Sequence, residues 1–501
     1  MSQLKKGAIL SYLNIILTNV IGLLLTPFII RSLGDSEYGL YTLIGSLIAY
    51  ISVLDFGLNN TIVRFVARYR AKNDSKGEEN FLATTLIIYG IISFIIVVLG
   101  LVLYFNLDAV FKNLSTIELE KAKIMFAILL LNLGISLPGG AFAAICSGYE
   151  KFVFPRALTI IKYIVRSILI VGLLLLGGDS VGIVILDTVV NILVIFINIY
   201  FVLKILKVKI QLHFLEKNLF KEIFSYSIWI FIFAMVGQFQ WTSGQVILGI
   251  VSNTTTVAIY GVGIMLGTYY GAFSTAISGV FLPRATKMTV LDATGKELTD
   301  MMIKIGRYSL IILLFILGGF ILFGQQFIYL WVGKTYADSW IIALMVMIAY
   351  TLPLTQAFAN SILEAKSKFS YKAICYISLL ALGTLLGALM VKQYGVLGLI
   401  SGTTLGWVVS QVIMNFYYHN KLKLEIPRFF MEVSNKILPL FFILIFISYF
   451  LYLIPGLGWF NLLIKIIIYS ILFSFLMFKF GVNKEEKSTF ISLIPKFLSK
   501  K

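Results

Sequence analysis

Asp55 stands inside an apolar run, in "SVLDFGLNNTIVRFVARYR", with Asn59 and Arg64 following. A carboxylate there is expensive in hydrocarbon, so it faces protein or water. The chain repeats the pattern. Lys162 and Arg166 are four residues apart and share one face of a helix. Asp187, Asn191 and Asn198 recur at spacings of four and seven, again on one face. The later counterparts are uncharged: Gln238, Gln240 and Gln245, then Gln356 and Asn360, then Gln411 and Asn415, while Asn14 and Thr18 form a similar stripe near the start. Guanidinium and ammonium groups can hold phosphate oxygens. Amides can bond sugar hydroxyls or glue helices together. Asp55 and Arg166 either neutralise one another as a structural pair or line a wet cavity. Arg64 and Arg284 take matching places at the inner ends of two apolar segments, as positive-inside charge or as basic gates where a phosphate-bearing cargo is first gripped. Lys162 can snorkel from the start of its span, and Lys465 reads as snorkelling from the outer end of the last one.

The elements that position these groups are membrane helices. The chain has 501 residues, 59% hydrophobic and only 13% charged, against about 25% charged in soluble domains. About 20 apolar residues cross a bilayer, and the sequence predicts fourteen such spans, near 8–30, 39–62, 81–105, 122–147, 157–176, 180–203, 221–250, 256–282, 305–330, 339–363, 371–390, 395–418, 436–454 and 459–479. With the N-terminus inside, the inner segments hold 32 lysines and arginines and the outer loops six, Arg31, Lys112, Lys121, Lys123, Lys334 and Lys392. That bias predicts two cytoplasmic termini. It also explains the net charge of +18 without nucleic acid as a partner, because the basic residues lie between spans. The tail "VNKEEKSTFISLIPKFLSK" then reads as orientation charge beside an anionic leaflet.

Catalytic patterns are missing from the sequence. The first apolar run is too long for a signal peptide and lacks a cleavage site. Cys146 and Cys375 sit in apolar surroundings and suggest neither a disulfide framework nor a metal. No phosphate-binding Gly-Lys-Ser/Thr loop occurs, and no histidine–carboxylate cluster. The turns leave no room for an extramembrane enzyme domain, which argues against a glycosyltransferase or polymerase.

Two halves of the chain echo one another. Tyr41 to Arg64 spans 23 residues and Tyr260 to Arg284 spans 24; Pro138 to Gly182 spans 44 and Pro353 to Gly398 spans 45. Six-helix units return the chain to its starting side, so the repeats are expected to be parallel. The expected architecture is an all-α polytopic membrane protein: an N-terminal lobe (1–207), a C-terminal lobe (208–420), and two more helices with a basic tail (421–501). Stretches such as "GVGIMLG" place small residues for close helix contact.

"GLLLTPFIIRSLGDSEYGLYTL…DFGLNNTIVRF", with the six-plus-six repeat and helices 13 and 14, resembles the polysaccharide flippases. These belong to the superfamily that also holds multidrug exporters and lipid II flippases. The resemblance covers nearly the whole chain and is most specific in "LGDSEYGLY" and "DFGL". It implies alternating-access movement of an undecaprenyl-diphosphate-linked oligosaccharide repeat unit from the inner to the outer leaflet of a bacterial cytoplasmic membrane, for O-antigen, capsule or related glycopolymer assembly. The implied partners are that lipid-linked oligosaccharide, membrane lipids, and a polysaccharide polymerase and chain-length regulator. The resemblance implies a cationic cavity between lobes, and Arg166, Lys162, Arg64 and Arg284 best match the diphosphate-holding role. Arg31 either meets the diphosphate late or merely ends helix 1. Asn59, Gln238, Gln356 and Asn360 are candidates for sugar contacts. No cofactor is implied beyond a coupling proton or sodium ion, with Asp55 and Asp187 as its candidate carboxylates or as charge balance. One departure is expected: the second lobe carries no buried charge before helix 14. The rival is a cation-coupled drug exporter of the same superfamily.

Overall fold

A computed structural model describes residues 3–214, 217–279, 282–366, 368–452 and 454–493. These residues form helices: α1 (Gln3–Leu33), α2 (Asp35–Ser52), α3 (Leu58–Ala71), α4 (Ser75–Phe105), α5 (Leu107–Val110), α6 (Thr116–Gly148), α7 (Val153–Leu175), α8 (Ser180–Tyr200), α9 (Lys217–Trp241) and α10 (Ser243–Val251). They continue with α11 (Thr254–Gly279), α12 (Leu282–Val290), α13 (Gly295–Trp331), α14 (Asp338–Thr355), α15 (Ala357–Ala365), α16 (Phe369–Leu422), α17 (Ile426–Ser434), α18 (Ile437–Tyr452), α19 (Trp459–Leu476) and α20 (Lys484–Leu493). Among the described residues, eleven helical stretches are long and apolar enough to cross a membrane. Phe94, Ile168, Phe196, Leu389, Phe446 and Phe460 stand exposed on such helices, as lipid-facing side chains must. The chain is an all-α polytopic membrane protein.

Local chemistry sets the helix starts. The Asp74 carboxylate accepts from the Gly77 amide ahead of α4, Asp179 accepts from Gly182 ahead of α8, and Ser115/Glu118 and Thr294/Glu297 form capping boxes on α6 and α13. Each satisfies amides that a helix start leaves open. α16 is longer than any membrane needs because it is two helices. Gly395, at φ 55°, turns the chain back on itself, and Gly387 and Gly402 then meet backbone to backbone, the close approach small residues allow.

The chain divides into two compact units, Met1–Gly261 with Tyr376–Gly406, and Val262–Cys375 with Trp407–Lys501. In the first, α6 packs against α2, α3, α4 and α8, and α1 against α7. In the second, α13 packs against α14, α17, α18 and α19. The "GVGIMLG" stretch behaves as its small residues suggest: Gly263 and Gly267 of α11 lie against Ile342 and Val346 of α14.

"LGDSEYGLY" is a junction of helix starts in the first unit. Ser36 donates to Glu118 at 2.6 Å and meets Thr254 at 2.8 Å, while Thr254 donates to the same carboxylate at 2.7 Å. Glu37 accepts from the Ser180 amide at 2.9 Å and pairs with Lys121 at 2.9 Å. Lys121 also reaches Asp179 at 3.1 Å. Gly39 lies so close to Thr254 that a Cβ would stand 1.8 Å from its carbonyl oxygen. Partial burial opposes ionisation of Asp179, but the Gly182 amide and the Lys121 ammonium outweigh it and hold the carboxyl below its usual range.

The start of the C-terminal segment is docked through acidic residues, while the tail from residue 494 onward lies outside the described residues. The Arg307 guanidinium on α13 forms a buried pair with Glu486 of α20, 2.5 Å from Nε, and also donates to the Glu432 and Gly481 carbonyls. Lys304 pairs with Glu485 beside it. Acidic residues in a basic segment make the anchor.

Candidate functional site

α7 and α8 face each other in the first unit and join their charged stripes. Arg166 forks onto Asp187, with Nε to Oδ1 at 2.5 Å and Nη2 to Oδ2 at 2.7 Å. Tyr41 of α2 closes the pair, accepting from Arg166 at 3.3 Å and donating to Asp187 at 3.5 Å. One turn along, Lys162 donates to Asn191 Oδ1 at 2.7 Å. Asn191 passes the chain to α6, donating to Asn132 Oδ1 at 2.8 Å and Ser136 Oγ at 2.6 Å. Two cations therefore share one carboxylate, and the cluster keeps a net positive charge on Lys162. The Arg166 and Asp187 side chains are each 22% exposed, so the pair is not sealed within the protein. The carboxylate that neutralises Arg166 is Asp187, not Asp55. Lys162 does not snorkel; its ammonium is fixed by an amide.

Asp55 sits at a break. The predicted continuous helix over 39–62 stops in a tight turn at Val53–Asp55, and Phe56 (φ 55°) and Gly57 (φ 65°) both take the left-handed conformation before α3 begins. Glycine adopts it freely; Phe56 is held there by stacking on Phe231 with ring centroids 4.6 Å apart. Four-residue spacing therefore does not carry Asp55 and Asn59 onto one helical face. The break still gathers polar atoms. Asp55 and Asn59 each bury a side-chain oxygen here, and the Tyr89 hydroxyl on α4 is the polar group that faces the Asp55 carboxylate. The Asn59 amide packs on α6 at Gly140, where a Cβ would meet it at 3.2 Å. Buried oxygens gathered in this way mark a place for a proton, an ion or water.

The second unit builds its own polar cluster. Gln356 lies at the break between α14 and α15 and accepts from Gln411 of α16 at 2.5 Å. Asn360 Oδ1 accepts from Lys372 at 2.5 Å and from Tyr418 at 3.3 Å. Lys372 and Arg307 are both buried, which overturns the expectation of a second lobe without buried charge before helix 14. Each lies near the start of a predicted span, where the sequence reads it as loop charge.

The other candidates disperse. Arg31 and Arg64 are exposed on α1 and α3. Gln238 accepts from Thr242 at 2.7 Å, closing the turn between α9 and α10. Gln245 accepts from Ser46. The side chain of Arg284 lies outside the described residues. Lys465 is only 3% exposed, so its reading as a snorkelling lysine fails. Tyr41, Asn132, Ser136, Tyr89 and Lys372 were not singled out from sequence. Asn132 and Ser136 did carry a signal, an i,i+4 polar pair within an apolar run.

Broken, apolar-coated helices with charged side chains fixed among them define a polytopic membrane protein. The chain belongs to the polysaccharide biosynthesis protein family, whose model matches residues 4–289. It is 21% identical over 406 residues to a Shigella flexneri protein described as "Putative O-antigen transporter", covering 78% of this chain and 92% of that one. Its fold is similar to that of the lipid II flippase MurJ in an inward closed conformation, with TM-score 0.70, 15% identity, and 94% and 98% of the two chains covered. It is also similar to an inward-facing multidrug resistance MATE transporter, with TM-score 0.65, 15% identity, and 82% and 94% covered.

Proposed function

We propose that this protein is an alternating-access flippase that moves a polyprenyl-diphosphate-linked oligosaccharide from the inner to the outer leaflet for cell-surface polysaccharide assembly. The observation that carries the reading is the Lys162–Arg166–Asp187–Asn191 network, a net-positive, partly exposed cluster set in apolar helices of a chain from this family. A diphosphate cannot cross hydrocarbon unaided. Lys162 offers it an ammonium held only by an amide, and Asn132, Asn191 and Ser136 offer hydrogen bonds suited to sugar hydroxyls. Family membership and the likeness to an O-antigen transporter support the cargo class. The positive-inside bias supports a bacterial inner-membrane protein with both termini cytoplasmic. The reading keeps fourteen spans in two six-helix lobes (1–207 and 208–420) with two appended helices, and delivery to a polymerase with its chain-length regulator.

The test is transport. Proteoliposomes holding the purified chain should expose a labelled lipid-linked oligosaccharide at the far leaflet, and Lys162→Met should slow that step while leaving the protein folded. Equal rates with and without the protein would end the proposal. Likeness to MATE exporters favours one alternative, export of small amphipathic cations; it would show as drug efflux tolerant of Lys162→Met. The reading assigns coupling to a proton or sodium ion to Asp55, a buried carboxylate facing the Tyr89 hydroxyl. Asp55→Asn should remove the ion dependence of transport without lowering thermal stability. An unchanged ion dependence would move coupling elsewhere.

A further inference from the structure

We propose that the second unit carries a binding site for the headgroup of an anionic phospholipid, built around Lys465. A cavity of about 600 Å³ opens where the end of α13 and the start of α14 meet the loop between α18 and α19, and Lys334, Lys465, Gln326 and Tyr329 are among its walls. Lys465 lies six residues into α19, roughly 9 Å along its axis. Its ammonium has three protons to donate. One goes to Gln326 Oε1 at a long 3.3 Å. Among the described residues neither Lys465 nor Lys334 forms an ion pair with a carboxylate. A cation so placed in a membrane helix is costly unless something negative joins it.

The remaining features fit a lipid rather than a free ion. Gln326 is stitched to the loop, donating to the Gly456 carbonyl at 3.3 Å and to Asn461 Oδ1 at 3.2 Å. That fixes the amide rather than leaving it to wander toward water. The cavity rim is apolar and outward: Ile454 and Leu457 are both exposed, as are Trp459 and Phe460 beside them. Tyr329 is exposed as well, and tyrosine and tryptophan mark the headgroup level of a bilayer. A ligand that satisfies all of this has a phosphate between two ammoniums and acyl chains on the exposed faces of α18 and α19. Two cations without a carboxylate select a headgroup of net negative charge over a zwitterionic one. With the orientation proposed above, the lipid belongs to the outer leaflet.

The full chain in an uncharged detergent is titrated with phosphatidylglycerol, phosphatidylcholine or inorganic phosphate. Melting temperature and retained lipid, the latter by native mass spectrometry, are both read. Phosphatidylglycerol should raise the melting temperature and stay bound, with little effect of phosphatidylcholine. Lys465→Met should weaken that binding by roughly tenfold or more, and should itself raise the melting temperature of lipid-free protein, because an uncompensated buried charge is gone. Lys334→Gln should weaken binding less, and Lys465→Arg should restore it. These two also cover the case in which Lys465→Met does not fold. Equal response to both lipids, an equal response in Lys465→Met, or stabilisation by inorganic phosphate alone would overturn the proposal. Transport is not read, so the outcome is independent of the cargo.

Discussion

Gly39→Ala is the most direct test of the junction at the start of α2. The new Cβ would stand 1.8 Å from the Thr254 carbonyl oxygen and 2.5 Å from its carbon. Both are backbone atoms, so no rotamer change relieves the clash. Reaching the edge of ordinary contact means parting α2 from the start of α11 by somewhat over 1 Å, and overpacking of this kind costs about 1–3 kcal/mol. The same displacement stretches the Ser36–Thr254 contact, now 2.8 Å, and the Glu118 bonds at 2.6 and 2.7 Å. The upper half of that range is therefore expected, which is roughly a thirty- to 150-fold shift against this conformation. Cysteines in place of Ser36 and Thr254, in a background without Cys146 and Cys375, report the junction by cross-linking. The pair should cross-link rapidly, and adding Gly39→Ala should slow the reaction about tenfold. Gly45→Ala on the same helix, where a Cβ meets nothing within 4 Å, is the control and should be neutral or slightly stabilising. Cross-linking and melting temperature unchanged by Gly39→Ala would refute the close contact.

Asp187→Asn should leave Arg166 without its carboxylate and destabilise the protein by about 2–4 kcal/mol, somewhat less than a fully buried pair would lose; thermal unfolding of the single mutant against Arg166→Met/Asp187→Leu, which should recover most of the loss, measures it. Arg307→Met should strand Glu486, whose side chain is 3% exposed, at a cost of about 3–5 kcal/mol, and limited proteolysis should then cleave the released segment beyond Gly481. The Asp179 contribution depends on pH with a definite sign. Its folded-state pKa lies below the ordinary value of 3.8, so the cap on α8 is fully effective above that value and is lost as pH falls through the depressed one. Hydrogen exchange at the Gly182 amide should therefore lose protection below pH 3.8, and Asp179→Asn should remove that dependence.

What the sequence makes legible is what local composition determines. Apolar runs mark the helices, and the charged turns between them mark where they stop. The stripes on α7 and α8 were readable because four-residue spacing is a property of one helix. Their partners were not, since pairing depends on which helices become neighbours. Arg166 therefore looked equally suited to Asp55. The break at Phe56–Gly57 was hidden for a different reason: a lone Gly in an apolar run is tolerated within helices, and the Phe231 ring that stacks on the left-handed Phe56 comes from a distant helix. Arg307, Lys372 and Lys465 were misread because charge near a span end is normally wet. Each is buried here by packing from a distant segment: Glu486 and α20 over Arg307, Asn360 and Tyr418 over Lys372, and Gln326 with its loop over Lys465.

The partners of these cations differ in a way that bears on handling a diphosphate. Arg166 is held by a carboxylate in a two-bond fork, and displacing Asp187 would expose one charge to free another. Lys162 is held by Asn191, and Lys372 by Asn360. An amide oxygen is a neutral acceptor, so a phosphate oxygen can take its place and gain charge attraction, while the amide turns to a sugar hydroxyl. Binding of that kind is easily made and easily undone, which a carrier needs at both ends of its cycle. On the proposed reading, Arg166 positions Tyr41 and sets the local potential, and Lys162 is the group that meets the cargo. The two roles predict different kinetics. Lys162→Met should raise the substrate concentration needed for half-maximal transport, whereas Asp187→Asn, by freeing Arg166 to grip the diphosphate, should tighten binding and slow release. A parallel loss of affinity in both variants would contradict this division of labour.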